Sequence, residues 1–473
     1  MRLDEPQVHR RARSTFFFVL SSFALIALCT TLGFRWLGQY DSNHDATPIL
    51  PNAAPTPASH WVDTFAAAPQ YVNASERLPL PFNATVPFAN TTIRQSVEIT
   101  TGGQLIRIRL SNAFGLTDLP ITRVTIAAPL PCCGFPDILL GTRNLDAATL
   151  QTVTFSGEAS ISIPVGGLVI SDPIEYDAQT GGTIVINIYI EEGQESEILT
   201  SHLVSRTKSW FIYGDHTSTA ELHVDEAMPA RSWFIIAGIE VYKPNSFGTL
   251  VVFGDSMTEA RKNTINSGIK WPKLLWRRLQ QDDGELKDIG VINHALGGNR
   301  ILADGKGPSA TSRLDRDVMS HSGVKFFLVF QGIIDIGHAN GTVISEQILV
   351  ASRMIAFYKQ IITRLHTFGI PVFGGTISPF ICPEGYVGNA VALNASRETT
   401  RQTVNKWVRT SGWFDAVIDF DEMLKSPENA TLLDPRYDTG DCLHFNDNGA
   451  AQIADKFPLD VFREYRDGVH KIQ

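Results

Sequence analysis

The stretch VVFGDSMTEARKN, from Val251 to Asn263, decides how the second half of this chain folds. Its apolar beginning stops abruptly at Gly254-Asp255-Ser256. A short apolar run bounded by turn residues is typical of a buried strand. The sequence therefore places Ser256 where a buried strand ends and a turn begins.

The same pattern recurs along the chain after residue 246. Apolar bursts alternate with stretches of helical period, which predicts a parallel sheet with helices on both faces, a three-layer α/β/α domain over residues 246–473. In such sheets ligands bind at the carboxyl ends of the strands. The five predicted strands are Thr249–Phe253, Val291–Ala295, Phe326–Phe330, Pro371–Ile377 and Ala416–Phe420, and the clearest helical stretches are WPKLLWRRLQ, SEQILVASRMIAFYKQIITRLHTF and RQTVNKWVRT.

The preceding block, residues 60–245, is predicted to be all-β. Apolar and polar residues alternate in short segments, as around Ile106, Ile108 and Leu110, and turns such as TTGG and PVGG separate them. Alternation with period two indicates strands. No long helical period interrupts the block, so we predict a β-sandwich or jelly roll.

The N-terminus has a different composition. Residues 15–34 (TFFFVLSSFALIALCTTLGF) carry no charge and are long enough to cross a bilayer as a transmembrane helix. Arg10, Arg11 and Arg13, in the predicted cytoplasmic N-terminus at residues 1–14, favour a type II signal anchor that places the rest of the chain outside the cytoplasm. A cleaved signal peptide, giving a secreted protein, is the other interpretation. Residues 35–59, rich in Pro and Ala, are predicted to be a linker.

Composition and sequons fit a globular protein of the secretory pathway. The 473 residues are 43% hydrophobic, and the net charge of -9 gives no reason to expect nucleic acid as a partner. Sequons that follow the apolar segment indicate passage through a glycosylating compartment. The six acceptor asparagines are Asn73, Asn83, Asn90, Asn340, Asn394 and Asn429.

A serine hydroxyl becomes a nucleophile only when a base takes its proton. The sequence GDCLHFNDNGA supplies a candidate base, because Asp441 precedes His444 by three residues in the loop after the last predicted strand. At that spacing the carboxylate can hold Nδ1–H of the imidazole and leave Nε2 free to face Ser256.

Four blocks in this order resemble the SGNH (GDSL) hydrolase family. They are Gly254-Asp255-Ser256, the NHALGGN segment at residues 293–299, a glycine-led turn with Asp335, and Asp441-x-x-His444. The resemblance covers about residues 249–457 and implies a flavodoxin-like fold with acyl ester hydrolase activity. The all-β block, with TIRQSVEITTGGQLIRIRLSNAFG, resembles the β-domain that precedes the catalytic domain in a subset of extracellular members.

The resemblance implies a role for each matching residue. Ser256 would be the nucleophile, His444 the base and Asp441 its orienting carboxylate. The oxyanion hole would consist of the backbone N–H groups of Ser256 and Gly298, where a glycine leaves room for the substrate carbonyl. No cofactor is implied, and the other histidines show no metal-ligand spacing.

One block departs from the family. Members carry G-x-N-D after the third strand, and its asparagine donates a further hydrogen bond to the oxyanion. This chain reads QGIIDIG, so Ile334 stands at that position and cannot donate. Loss of one such donor costs about 10²–10³ in rate, which predicts reduced activity. Asn299 and Gln331 are the candidate substitute donors.

The cysteines allow more than one pairing. Cys442 lies inside the Asp-x-x-His loop and Cys382 follows the fourth predicted strand, so both are expected at the same sheet edge. A disulfide between them would hold that loop. Cys132 and Cys133 could instead form other pairs.

These observations predict a serine-dependent carboxylic ester hydrolase. The expected substrates are small acyl esters, including acetyl groups on carbohydrates, and the N-terminal helix would bind the membrane. A catalytically impaired homologue that binds glycans at the cell surface is the first alternative, and a lipase or lipid acylhydrolase is the second.

Overall fold

The computed structural model describes residues 58–83, 86–131, 139–259, 270–382 and 395–470. Residues 57–473 form one compact unit, so the domain boundary near residue 245 remains a prediction. The predicted membrane segment at residues 15–34 and nearly all of the predicted linker lie outside the described residues. Within the described ranges, no helix has both the length and the apolar character needed to cross a bilayer.

The block up to residue 245 is rich in β-strands, as its period-two pattern predicts. Its described residues also contain a short α-helix, α1 (Ala74–Arg77), and a 3-10 turn at Ala147–Thr149. Most of its strands are three to nine residues long. They are β1 (Ser59–Ala66), β2 (Gln70–Asn73), β3 (Thr91–Glu98), β4 (Gly103–Ser111), β5 (Leu119–Ile121), β6 (Arg123–Ala127), β7 (Pro129–Leu130), β8 (Asn144–Leu145), β9 (Gln151–Val153), β10 (Ile161–Ile163), β11 (Leu168–Ile170), β12 (Ile174–Ala178), β13 (Thr183–Ile190), β14 (Ile198–His202), β15 (Ser209–Tyr213), β16 (Met228–Ala230), β17 (Trp233–Phe234) and β18 (Ile236–Pro244).

Two larger antiparallel sheets form the frame of this block. One has the order β1-β18-β4-β11, with β12 also paired to β4, and the other has the order β16-β15-β3-β13-β6-β9. Inward side chains of both sheets, such as Ile108 and Ile186, belong to one continuous apolar cluster and are fully buried. Burial of one face of each strand explains the alternation in the sequence. The jelly-roll connectivity remains a prediction.

The second block alternates strands and helices. Its strands are β19 (Gly248–Gly254), β20 (Ile289–Asn293), β21 (Val324–Phe330), β22 (Val372–Gly375) and β23 (Ala416–Ile418). Its helices are α2 (Ser256–Glu259), α3 (Trp271–Gln280), α4 (Ala310–Leu314), α5 (Ile333–His338), α6 (Ile344–His366), α7 (Ala395–Thr410), α8 (Phe420–Leu424), α9 (Asp447–Lys456) and α10 (Asp460–Glu464).

These five strands form one parallel sheet in the order β20-β19-β21-β22-β23. The α/β fold predicted from the alternating pattern is therefore confirmed. Three strands end earlier than predicted. Strand β23 ends at Ile418, because Asp419 caps α8 by accepting from Glu422 N at 3.1 Å. In the other two strands, side chains take over the backbone donors. The N–H of Ala295 donates to Asn293 Oδ1 at 3.0 Å, and the N–H of Ile377 donates to Asn405 Oδ1 at 2.7 Å. Every strand thus ends at the same edge of the sheet.

Strand β1 connects the two blocks. It pairs with β18, and its Asp63 is fully buried against the second block. The Asp63 carboxylate accepts hydrogen bonds from Ser322 N at 2.7 Å and from His321 Nδ1 at 2.9 Å, and Arg109 lies 3.2 Å away. A buried carboxylate requires such partners, so this contact fixes how the two blocks fit together.

Candidate active site

The loops that follow β19, β20 and β21 meet at the carboxyl edge of the sheet. Leu296 N donates to Gly254 O at 3.1 Å, which joins the loop after β20 to the turn after β19. A Cβ on Gly254 would lie 2.5 Å from Thr258 Oγ1 and 3.0 Å from Phe330 O. Only glycine therefore allows the turn to pack this tightly against β21.

Ser256 begins α2 directly after this turn and is 4% exposed. The preceding Asp255 is almost fully buried, and its Oδ1 accepts a hydrogen bond from Met257 N at 3.0 Å. Burial raises the pKa of Asp255 to about 7, although that hydrogen bond opposes the shift. Asp255 thus braces the turn that presents Ser256.

Ser256, His444 and Asp441 form a continuous chain of hydrogen bonds. Ser256 Oγ lies 2.8 Å from His444 Nε2, and His444 Nδ1 lies 2.8 Å from Asp441 Oδ2. The other carboxylate oxygen of Asp441 accepts from the backbone N–H of His444 at 2.8 Å. Partial burial opposes ionisation of Asp441, but these hydrogen bonds from His444 hold its pKa well below the usual range.

The loop that carries Asp441 and His444 is held by several local contacts. Asp438 Oδ1 accepts from Gly440 N at 2.8 Å and from Cys442 N at 3.1 Å. Cys442 has a positive φ of 57° and forms a disulfide with Cys382, with 5.3 Å between the Cα atoms. The disulfide joins this loop to the segment after β22. Cys132 and Cys133, the other candidates for pairing, lie outside the described residues.

Removal of this disulfide is expected to destabilise the fold. The bond joins residues with a sequence separation of 60. Loop-closure entropy for that length corresponds to a stabilisation of about 4 kcal/mol, and the stabilisation measured for disulfides is typically about 2–4 kcal/mol. A Cys382→Ser/Cys442→Ser variant should therefore lose about 2–4 kcal/mol of unfolding free energy, as measured by urea denaturation. Reduction of the wild-type protein should shift the midpoint similarly. A loss below about 0.5 kcal/mol would mean that other contacts alone fix the loop.

Gly298 occupies a position that suits only glycine. Its φ is +75°, and a Cβ there would lie 3.1 Å from Lys306 Cδ. Its neighbour Gly297 is also crowded, since a Cβ would lie 2.5 Å from Glu259 Oε2. Both glycines belong to the loop that contacts the Gly254 turn through Leu296 N.

The side chains predicted as substitute donors are bound to other protein groups. Gln331 Nε2 donates to Asn299 Oδ1, and Asn299 Nδ2 donates to Pro308 O, both at 2.7 Å. Each amide therefore uses at least one N–H in the interior. Ile334 lies on α5, partly buried against the apolar core. Neither amide is shown to face the reacting centre.

Two residues support the site in ways that the sequence does not predict. Arg313 is fully buried, donates to Asn299 Oδ1 at 3.1 Å and lies 3.8 Å from the centroid of the Phe253 ring. The Asp335 carboxylate accepts from Ile301 N at 2.8 Å and from Leu302 N at 3.0 Å. The family pattern marks Asp335, but nothing in the pattern shows that it holds the loop after β20.

The remaining predicted site residues are the sequon asparagines. Asn90, Asn340 and Asn429 are exposed, Asn73 and Asn83 are partly buried, and Asn394 lies outside the described residues. In the part of the chain that is described, no group of three or more His, Cys, Asp or Glu side chains could hold a metal ion.

Comparisons with known proteins find one family. Residues 250–457 match the family model of the GDSL-like lipase/acylhydrolase, whereas no curated protein matches the chain. Among solved structures, an acetyl xylan esterase is 21% identical, with a TM-score of 0.32, over 44% of this chain and 96% of its own. A GDSL-like lipase from Bacteroides thetaiotaomicron VPI-5482 is 12% identical, with a TM-score of 0.32, over 46% of this chain and 88% of its own.

Proposed function

Residues 250–457 form a GDSL-like lipase/acylhydrolase domain, and from this premise we propose that the protein is a serine-dependent carboxylic ester hydrolase. The observation that carries the proposal is the hydrogen-bonded chain from Ser256 Oγ through His444 to Asp441, with 2.8 Å at each step. A base within that distance of a serine hydroxyl can take its proton as the hydroxyl attacks.

The proposed reaction has two steps. His444 Nε2 takes the proton of Ser256, Oγ bonds to the ester carbonyl carbon, and the oxyanion rests on the N–H groups of Ser256 and Gly298. His444 then gives the proton to the leaving alcohol, and an acyl-serine ester remains. Water, deprotonated by His444, attacks that ester and releases the carboxylic acid and the free serine. Asp441 stabilises the imidazolium throughout.

Small acyl esters are the proposed substrates, with acetyl esters of carbohydrates first. Ser256 is 4% exposed and His444 is 7% exposed, which leaves little room for a bulky acyl group at the nucleophile. Hydrolysis of 4-nitrophenyl acetate, butyrate and octanoate beside the Ser256→Ala variant tests the proposal. Activity that falls with chain length and depends on Ser256 supports it, and rates that equal the variant's contradict it.

The Ile334→Asn substitution is expected to raise kcat. An asparagine at this position would add the oxyanion donor that the chain lacks, and removal of such a donor elsewhere costs about 10²–10³ in rate. We expect a gain of about 10-fold on 4-nitrophenyl acetate, because Ile334 also packs against the core and its loss will disturb the loop. Ile334→Val supplies no donor and serves as the control. An unchanged or lower rate would mean that another group already fills this position.

A non-catalytic, glycan-binding protein is the second candidate function. The absence of an oxyanion donor at Ile334 favours this function. A cavity of about 120 Å³ lined by Trp233 and Trp276 could hold a sugar ring against these aromatic side chains. Neither Ser256 nor His444 lines this cavity. Glycan binding by a protein without Ser256-dependent hydrolysis would favour this candidate. A lipase is the third, and octanoate hydrolysis that exceeds acetate hydrolysis would favour it.

We also propose a secretory location, with an N-terminal signal anchor or a cleaved signal peptide. The disulfide between Cys382 and Cys442 supports an oxidising compartment. The exposed sequons Asn90, Asn340 and Asn429 are accessible to a glycosylating enzyme.

A further inference from the structure

A basic loop lies beside the candidate oxyanion position. It runs from Arg300 to Ser309, and we name it the cationic loop. The Cδ of Lys306 lies 3.1 Å from the position that a Cβ of Gly298 would occupy, and Lys306 is exposed. The Lys306 stem therefore passes directly over Gly298, and its ammonium group is available to solvent or to a ligand at the rim of the site.

The two cations of this loop, Arg300 and Lys306, form no ion pair with a carboxylate of the described residues. Arg300 donates through Nη2 to the backbone O of Asp304, whereas Asp304 Oδ1 accepts from Ser309 N at 2.8 Å. Arg300 Nε is buried and makes no hydrogen bond among the described residues. Within the same described ranges, neither Arg300 nor Lys306 has a carboxylate within ion-pair distance. Asp304 therefore pairs with neither cation, whereas the charge of Arg300 acts on the buried Asp335 carboxylate and opposes the burial that raises the pKa of Asp335.

Two further basic side chains, His338 on α5 and Arg397 on α7, lie near the cationic loop. His338 ends α5, and Arg397 on α7 donates through Nη2 to Ala339 O at 3.3 Å. Burial, followed by the charges of Arg300, Arg397 and Lys306, lowers the pKa of His338. The loops after β20 and β21 and the start of α7 therefore bring the basic side chains of Arg300, Lys306 and Arg397 close to His338.

The β-rich block fixes the position of the cationic loop. Gln70, which is 1% exposed, donates to Lys306 O, and Tyr71 Oη donates to Gly305 O at 3.0 Å. On the other side of the loop, the Asp335 carboxylate accepts from Ile301 N and Leu302 N. Because the loop is held at both ends, its charged side chains start from a fixed backbone. Less conformational entropy is then lost when a ligand binds.

These basic side chains lie beside the candidate site of a molecule whose net charge is -9. We propose that the active site selects esters whose alcohol part is anionic, such as an acetyl ester carried by a sugar acid. The inference rests on the proposed function. The charge belongs to the alcohol because the acyl part must reach a nucleophile that is 4% exposed, while the larger alcohol stays at the rim beside Arg300 and Lys306.

A matched pair of esters tests the proposal. 4-Acetoxybenzoate and 4-acetoxybenzamide have nearly the same size and acyl group, and only the first carries a charge on its alcohol. For each ester, kcat/KM is divided by the rate constant of its hydroxide-catalysed hydrolysis. For the wild-type protein, this ratio should be about 10-fold higher for the anionic ester than for the neutral ester. This preference should shrink as salt rises from 0.05 to 0.5 M, because salt screens exposed charges.

Charge-removing variants identify the groups responsible. Arg300→Gln/Lys306→Met should reduce the preference by about 5- to 10-fold, and Lys306→Met alone, at an exposed position, should reduce it by about 3-fold. The control is Lys287→Met, which removes the same charge just before β20, at the opposite edge of the sheet. It should leave the preference unchanged.

The outcomes separate this inference from the function on which it rests. Hydrolysis of both esters with no preference, or a preference that Lys306→Met leaves intact, overturns the inference and leaves the hydrolase proposal standing. Failure to hydrolyse either ester overturns both. A preference lost equally in Lys287→Met would show a response to net charge alone, which also contradicts the inference.

Discussion

The Ser256→Ala variant is expected to lose at least about 10⁴-fold in kcat for 4-nitrophenyl acetate, because the hydroxyl that forms the acyl intermediate is gone. Ser256 Oγ is the atom that lies 2.8 Å from His444 Nε2, so its removal also leaves the base without its partner. The remaining rate should equal the background that the oxyanion donors alone provide.

The matched control is Ser352→Ala. Ser352 is exposed on α6, and its hydroxyl donates only to Leu349 O at 2.9 Å. It should keep full activity. Thermal unfolding of both variants separates loss of catalysis from loss of fold, since one exposed hydroxyl contributes little to stability. A Ser256→Ala protein that stays folded and hydrolyses the ester at the wild-type rate would remove the serine from the reaction.

The second large effect is expected for Asp441→Asn, with a fall of about 10³–10⁴-fold in kcat. The carboxylate accepts from His444 Nδ1 and holds the tautomer in which Nε2 can accept the serine proton. An amide can present an N–H to Nδ1 instead, which favours the wrong tautomer. The backbone hydrogen bonds to Asp441 Oδ1 can persist in the variant, so the loop should keep its shape.

Asp455→Asn is the control for this substitution, because Asp455 is a mostly exposed carboxylate on α9. The comparison is best made across pH. The pKa of Asp441 lies far below its usual range, so the wild-type carboxylate stays ionised in mildly acidic solution. The acid limb of the wild-type profile should therefore not be due to Asp441. A fall below about 10-fold in Asp441→Asn would show that the carboxylate does not orient the base.

The order of residues in the sequence is enough to bring Ser256 and His444 together. They are separated by 188 residues, yet both follow strands of one parallel sheet, and all such strands end at the same edge. The alternation of apolar bursts and helical stretches predicts that topology. The spacing of Asp441 and His444 is local, so it too can be recognised in the sequence.

The supports of the site are not predictable in the same way. Gln70 on β2 reaches the backbone of Lys306, in the loop after β20, across 236 residues. Arg313 reads in the sequence as an ordinary helical arginine, although it is fully buried beside Asn299. Contacts of this kind depend on how the folded surfaces pack together. They cannot be predicted from the periodicity of apolar residues or from the spacing of motifs in the sequence.

The departure at Ile334 shows the same limit. The sequence identifies the missing donor, and it names Asn299 and Gln331 as replacements because they are amides near the right strands. The structure binds the two amides to each other, through Gln331 Nε2 and Asn299 Oδ1. Chemical type can be read from a sequence, but the direction of a side chain depends on its neighbours.

Covalent labelling tests the central claim most directly, that His444 activates Ser256 as a nucleophile. A fluorophosphonate should form a bond between its phosphorus and Ser256 Oγ with release of fluoride, and mass spectrometry of the digested protein locates the adduct. We expect one adduct per chain, on the peptide that contains Ser256, and at least about 100-fold slower labelling in His444→Ala. An adduct on another serine, or labelling of Ser256 that is equally fast without His444, would contradict the account.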